Sequence, residues 1–125
     1  MSATLYERIG QFYDSSSSLW EQVWGEHMHH GYYGTDGKQR KERQQAQIDL
    51  IEELLQWADV EQAQHILDVG CGIGGSSLYL AQKFDAHATG ITLSSFQANR
   101  ATQRAQAMGL SQKAEFLVAN AQNMP

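Results

Sequence analysis

An apolar run that passes through one carboxylate and breaks into closely spaced glycines, His65-Ile66-Leu67-Asp68-Val69-Gly70-Cys71-Gly72-Ile73-Gly74-Gly75, restricts the fold of this chain more than any other stretch. Ile66, Leu67 and Val69 suit a strand covered on both faces, as in a parallel sheet. Gly70, Gly72 and Gly74 let the backbone turn tightly and approach a ligand where a Cβ would clash. A helix predicted from Ser76 to about Phe84 then aims its free N–H groups at the turn, which favours a negatively charged ligand group there. Strand, glycine turn and helix together point to a nucleotide-cofactor site.

The acids around the turn narrow the kind of nucleotide. Gly70, Gly72 and Gly75 fall at the G-x-G-x-x-G spacing of dinucleotide sites. Such sites place an Asp or Glu about 20 residues on, at the end of the second strand, to hold the ribose hydroxyls. Here that strand reads Ala86-His87-Ala88-Thr89-Gly90-Ile91 and runs out into Thr92-Leu93-Ser94 without an acid. Asp85 lies at the wrong end, because ligands sit beyond the carboxyl ends of parallel strands. The acid that is present, Asp68, comes two residues before the first glycine, where it can balance a cationic amino group. A cofactor carrying an amino acid's ammonium and carboxylate plus a nucleoside fits this better than one carrying a pyrophosphate.

Read along the chain, the pattern predicts two short helices around Thr4 to Tyr13 and Ser17 to Trp24, with Ser15-Ser16-Ser17-Ser18 as hinge and N-cap source. A turn-rich loop, Gly31 to Gly37, precedes a long helix from about Lys38 to Ala58. Its apolar stripe of Ala46, Leu50, Ile51, Leu54, Leu55 and Ala58 should pack on the sheet. Then come strand His65 to Val69, helix Ser76 to Phe84, strand Ala86 to Ile91, helix Ser95 to Met108 ended by Gly109, and strand Ala114 to Ala119. Strands alternating with helices predict an α/β fold with a parallel sheet and right-handed crossovers.

At Asp68-Val69-Gly70-Cys71-Gly72-Ile73-Gly74 the chain resembles the class I S-adenosylmethionine-dependent methyltransferases, whose first motif is an acid-x-Gly-x-Gly-x-Gly turn. Gly90-Ile91-Thr92-Leu93-Ser94, followed by Gln97, departs from the commonest acid-ended pattern. It is similar to the branch holding the tocopherol methyltransferases and cyclopropane-fatty-acid synthases, which implies Thr92, Leu93 and Gln97 as ribose contacts. Phe116 to Pro125 resembles the third strand and adenine-binding turn, implying contacts from Asn120, Ala121 and Gln122, although an ordinary strand exit with a Pro stop reads the same way. The first 33 residues, with Phe12-Tyr13-Asp14, Leu19-Trp20-Glu21 and Trp24-Gly25-Glu26-His27-Met28-His29-His30-Gly31-Tyr32-Tyr33, resemble the N-terminal cap of gamma-tocopherol methyltransferases. Relatives that methylate sarcosine, phosphoethanolamine or alkaloid amines share weaker versions.

The resemblance implies a Rossmann-like methyltransferase fold, of which only the first half is present: three parallel strands in the order 3-2-1, with residues 1–37 as a helical cap and 38–125 as a partial cofactor domain. It implies S-adenosyl-L-methionine held by Asp68, Gly70, Cys71, Gly72, Gly74, Thr92, Leu93, Gln97, Asn120, Ala121 and Gln122. The implied reaction is methyl transfer to an aromatic ring carbon of a chromanol. Amine N-methylation and a catalytically silent cofactor-binding module are the alternatives. Since the chain stops at Pro125, a truncated form is expected, with little turnover and with self-association through an open sheet edge or exchanged N-terminal helices.

His27, His29 and His30 fall within four residues, but a metal site needs further partners that the chain does not obviously supply, so none is expected. These imidazoles with Trp20, Trp24, Tyr32 and Tyr33 are expected to roof the cofactor and face the substrate, aromatic faces attracting the sulfonium. Trp20 and Trp24, at i and i+4, equally suit the core face of a helix. His29, His30 and Tyr33 are the candidate catalytic residues, with a histidine accepting the phenol proton. The 125 residues carry a formal net charge of −5, which disfavours nucleic acid as a partner. Lys38, Arg40, Lys41 and Arg43 read as a solvated helix start, a peripheral contact with anionic lipid being the sharper alternative. One cysteine and the absence of a long apolar run or an Arg-rich leader fit a bacterial cytoplasmic enzyme with no transmembrane segment. Cys71 is read as a small residue inside the turn rather than a reactive thiol.

Overall fold

A computed structural model describes residues 3–124; Pro125, the expected Pro stop, lies outside the described residues. The elements are α1 (Leu5–Trp24), α2 (Arg43–Trp57), β1 (His65–Val69), α3 (Gly75–Phe84), β2 (His87–Thr92), α4 (Ser95–Ala107) and β3 (Ala114–Val118). The strands form one parallel sheet in the order β1-β2-β3, the predicted 3-2-1 read from the other edge.

The register explains where the core lies. One row runs Ile66, Ala88, Ala114 and the next Asp68, Gly90, Phe116. Small residues on central β2 leave room for Phe116 and Cys71: a Cβ at Gly90 would stand 2.7 Å from Phe116 and 2.8 Å from Cys71. Leu78 of α3 and Ala98, Ala101 and Ala105 of α4 close over this row, with Leu110 and Ala114 completing the cluster. Burying Phe116 contributes about 2 to 3 kcal/mol of transfer free energy.

On the opposite face Ile91 of β2 is buried, but the β1 residues are bare. Leu67 is 53% exposed and Val69 56% exposed, so the expectation that β1 is covered on both faces is corrected for the described residues. The long helix also sits elsewhere than expected. Rather than laying its apolar stripe on the sheet, α2 packs Ala46 against Gly31 and receives a hydrogen bond from Tyr32 N at Ala46 O (2.7 Å). Its Glu52 meets Tyr79 and Lys83 of α3. Leu54 is exposed and Trp57 is 85% exposed.

Two element boundaries differ from the sequence reading for local reasons. The serine run does not break the first helix: Ser15 Oγ donates to Gln11 O (2.9 Å) and Ser16 Oγ to Phe12 O (2.8 Å), so the hydroxyls bond back onto the preceding turn. Instead the helix starts at a capping box in which Thr4 and Glu7 satisfy each other's backbone N–H groups. The second helix starts at Arg43 rather than Lys38, because residues 34–39 are held in a turn by Gly37 N to Gly34 O and Gln39 N to Tyr33 O. The basic stretch is anchored as well as solvated: Lys41 pairs with Asp49 at 2.6 Å, and Arg43 donates to Val23 O at 2.7 Å.

Candidate functional site

Three cavities surround the glycine turn at the carboxyl ends of the strands, where open parallel sheets bind ligands. The turn is pinned to β2, since Gly70 N and Cys71 N both donate to Ile91 O at 2.9 Å. Gly74 closes it with φ +88, and a Cβ there would stand 2.9 Å from Phe116, so backbone sign and core packing demand the same residue. At Gly72 the ligand side is open, with only Met28 Sδ near, at 3.8 Å from a notional Cβ. Cys71 is buried, and burial reinforced by Asp68 pushes its thiol up to about 12, which makes it a packing residue.

The first cavity, of about 110 Å³, lies between the turn and the cap segment, with Glu26, His27, Met28, His29, Asp68 and Gly72 among its walls. Asp68 accepts from the buried Ser77 Oγ of α3 at 2.6 Å through one oxygen, which leaves the other for a ligand. His29 Nδ1 lies 2.7 Å from His30 O; a carbonyl only accepts, so Nδ1 carries a proton, and in the neutral ring Nε2 is the lone-pair nitrogen. His29 Nε2, His27 Nδ1 and Gln47 Oε1 are buried without a hydrogen-bond partner among the described residues. Gln47 Nε2 organises the segment by donating to His27 O (2.7 Å) and His29 O (2.9 Å). Burial, with nearby His29 adding to it, lowers His27 to about 4, so its ring is neutral at physiological pH.

The second cavity, of about 250 Å³, lies under α1, with Ile9, Tyr13, Met28, Thr92, Leu93 and Gln97 among its walls. Gln97, expected to offer its amide to a ribose, is engaged on both ends: Oε1 accepts from Thr92 Oγ1 (2.7 Å) and Nε2 donates to Ser17 Oγ (3.0 Å). One lone pair and one N–H remain on that amide. Asp14, noted in sequence only as part of a cap motif, has a definite role. Its carboxylate accepts from Ser94 Oγ (2.5 Å) and Phe96 N (3.0 Å) at the start of α4, and these bonds hold it below the usual carboxylate range. Gly10 lets α1 press on Leu93 O, where a Cβ would stand at 2.6 Å. Glu21 and Arg100 add a two-pronged ion pair at 2.8 Å. No periodicity announces these partners, because they join segments some 80 positions apart.

The third cavity, of about 240 Å³, has Tyr6, Val69, Ile91, Leu93, Asn120 and Gln122 on its walls together with Ala121. Asn120 Oδ1 accepts from Gln122 N at 2.9 Å and thereby shapes the turn. Tyr6 OH donates to Gln122 Oε1. The structure therefore brings Asp68, Gly70, Cys71, Gly72, Thr92, Leu93, Gln97, Asn120, Ala121, Gln122 and His29 to the walls of three cavities that share Gly70.

His30 and Tyr33 line none of these three cavities. His30 is exposed and meets Trp24 edge-on at 6.0 Å, while Tyr33 belongs to the turn before α2 through its carbonyl. Trp20 and Trp24 meet at a tilt of 53° with centroids 6.3 Å apart, and Arg43 covers Trp24 at 5.4 Å. The expectation that these aromatics roof the cavities is corrected: the α1 walls are Tyr6, Ile9 and Tyr13, one helical face. Among the described residues no group of three or more His, Cys, Asp or Glu is arranged to hold a metal ion.

Residues 2–125 match the family model described as mycolic acid cyclopropane synthetase. The chain is 47% identical to the chloroplastic tocopherol O-methyltransferase of Arabidopsis thaliana, over 97% of this chain and 37% of that protein. It thus spans little more than a third of the length of that curated relative. Among solved structures, the [4+2]-cyclase SpnF superposes with a TM-score of 0.86 at 33% identity, over 100% of this chain and 46% of that one. A geranyl diphosphate methyltransferase in complex with SAM superposes with a TM-score of 0.67 at 26% identity, over 79% of this chain and 46% of that one.

Proposed function

The chain belongs to the mycolic acid cyclopropane synthetase family of S-adenosylmethionine-dependent methyltransferases, and from that premise we propose that it forms the cofactor-binding part of a tocopherol-type methyltransferase. The acceptor in this reading is an aromatic ring carbon of a chromanol, beside its phenol. The observation that carries the cofactor reading is Asp68, which keeps an oxygen free beside an open glycine turn while β2 ends without an acid. The 47% identity to a tocopherol O-methyltransferase supports a tocopherol-class acceptor, and the ring-carbon position is this reading's own.

The residues present fit S-adenosylmethionine. Asp68 suits its ammonium, and the start of α3 suits its carboxylate. Gly72 leaves room for the chain between them. Thr92 and Leu93 would hold the ribose, with the remaining donor of Gln97 in support, and Asn120, Ala121 and Gln122 would hold the adenine. When bound, the cofactor supplies a methyl group already activated as a sulfonium. The protein aligns and shields: Tyr6, Ile9, Tyr13 and Met28 exclude water from these cavities, and Tyr6 and Tyr13 offer ring faces to a cation. A cap histidine takes the phenol proton. Of the candidates His29, His30 and Tyr33, His29 combines a free lone pair on Nε2 with a place on a cavity wall.

The deciding experiment is a product assay with methyl-labelled cofactor across chromanols and amines, using the chain joined to the remainder of a relative's length. Label in a chromanol ring carbon supports the reading. Label in amines alone moves it to N-methylation, and no transfer to any acceptor leaves a silent binding module.

A further inference from the structure

We propose that Arg104 is a positioning residue for the amino-acid arm of the cofactor, clamping the glycine turn and the cap segment as the two walls of one cavity. This rests on reading the 110 Å³ cavity as the place of that arm. The Arg104 guanidinium is buried, its side chain only 8% exposed. Nη1 donates to Ile73 O inside the glycine turn at 2.9 Å and reaches Glu26 O in the cap at 3.5 Å. Nη2 pairs with the Glu26 carboxylate at 3.1 Å. One planar group therefore ties the turn to the cap.

The walls meet as closely as backbone allows. A Cβ on Gly75 would overlap Glu26 O and stand 2.7 Å from His27 Nδ1. Placing a guanidinium here is favourable only because its donors find carbonyls and a carboxylate. A lysine, with one point charge on a flexible stem, cannot span the same set.

What the clamp sets is the spacing between two groups of ligand partners. The cap wall brings the unpartnered His27 Nδ1. The turn wall brings Asp68 and the start of α3. With Asp68 and the start of α3 on the turn wall, a short arm is held there only while the cap wall closes over it at fixed separation. The ribose and adenine cavities, lined by Thr92, Leu93, Asn120 and Ala121, meet the clamped cavity only at Met28, Gly70 and Gly72. Arg104 therefore acts on the arm far more than on the nucleoside.

The test is calorimetry of the whole chain with S-adenosylhomocysteine and with 5′-methylthioadenosine, the same thioether nucleoside without the amino-acid arm. In Arg104→Met the first ligand should weaken by about tenfold or more, the scale of one charge-assisted hydrogen bond. The second should stay within about twofold, with Arg104→Lys intermediate for the first ligand. Equal weakening of both ligands, or none, overturns the inference. If circular dichroism shows Arg104→Met unfolded, Arg104→Lys decides instead: the first ligand must weaken more than the second, and equal weakening or none overturns the inference. A wild-type chain that binds neither ligand refutes the cofactor reading itself, and this inference with it.

Discussion

Replacing Gly74 by alanine separates two costs that coincide at the glycine turn. Gly74 has φ +88, and its missing Cβ would stand 2.9 Å from Phe116 Cζ and 3.0 Å from Ala101 Cβ. Gly37 has φ +71 and nothing within 4 Å of the same notional atom. Both substitutions incur the left-handed backbone cost of roughly 1 to 2 kcal/mol. Only the first also forces a methyl into the Phe116 core, which adds roughly 1 to 3 kcal/mol. We therefore expect Gly74→Ala to lose about 2 to 5 kcal/mol and Gly37→Ala about 1 to 2 kcal/mol. A chain of this length holds only about 6 to 19 kcal/mol in total, so the first loss is conspicuous in a urea titration read at constant m. Adding Phe116→Leu should recover part of the Gly74→Ala loss, a negative coupling in the double-mutant cycle. Equal shifts for the two glycine variants, or a Phe116→Leu cost that simply adds, would show that overlap with the core is not what selects glycine here.

Three further outcomes follow from the site. Asp68→Asn should weaken S-adenosylmethionine by about 1.5 to 3 kcal/mol, the loss of a charged hydrogen bond; unchanged affinity by calorimetry, or tighter binding of NAD by the wild type, removes the assignment. His27 should make stability fall with acid. Its folded value of about 4 lies below the ordinary 6.5, so the unfolded chain binds the extra proton between those limits. The contribution is constant above pH 6.5, declines by up to about 3 kcal/mol on the way to pH 4, and is constant again below; His27→Phe should flatten that slope, and an unaltered slope refutes the cause. Finally, β1 pairs with β2 alone among the described residues and exposes Leu67 and Val69, so we expect self-association through that edge or by exchange of N-terminal helices. Light scattering that gives a monodisperse monomer at high concentration excludes it.

The parts of the fold that are legible in the sequence are those with local causes. The run from His65 to Gly75 carries its own strand pattern, turn residues and helix start, and the α/β alternation follows from short periodic segments. The serine run misleads because a serine cluster marks both a hinge and a helix whose hydroxyls bond back one turn, and the composition of the run does not tell them apart. The stripe on α2 predicts an apolar face but not its partner, and the partner proves to be the segment around Gly31. At the site, Asp68 and the glycines announce themselves by spacing. Asp14, Ser17 and Arg104 do not, since each works through a residue far away in the chain.

The links between α1 and α4 bind the cap to the folding of the site beneath it. Asp14, Ser17 and Glu21 meet Ser94, Gln97 and Arg100 as successive rungs. The first rung is itself the N-cap of α4, because Ser94 Oγ also accepts from Gln97 N at 3.1 Å. Swinging α1 outward would strip that cap of its partner and loosen Thr92 and Gln97 at once. The cap is thus no hinged lid: lifting it and fraying the first turn of α4 are one local unfolding event, and a ligand that enters without that event must thread between α1 and the glycine turn.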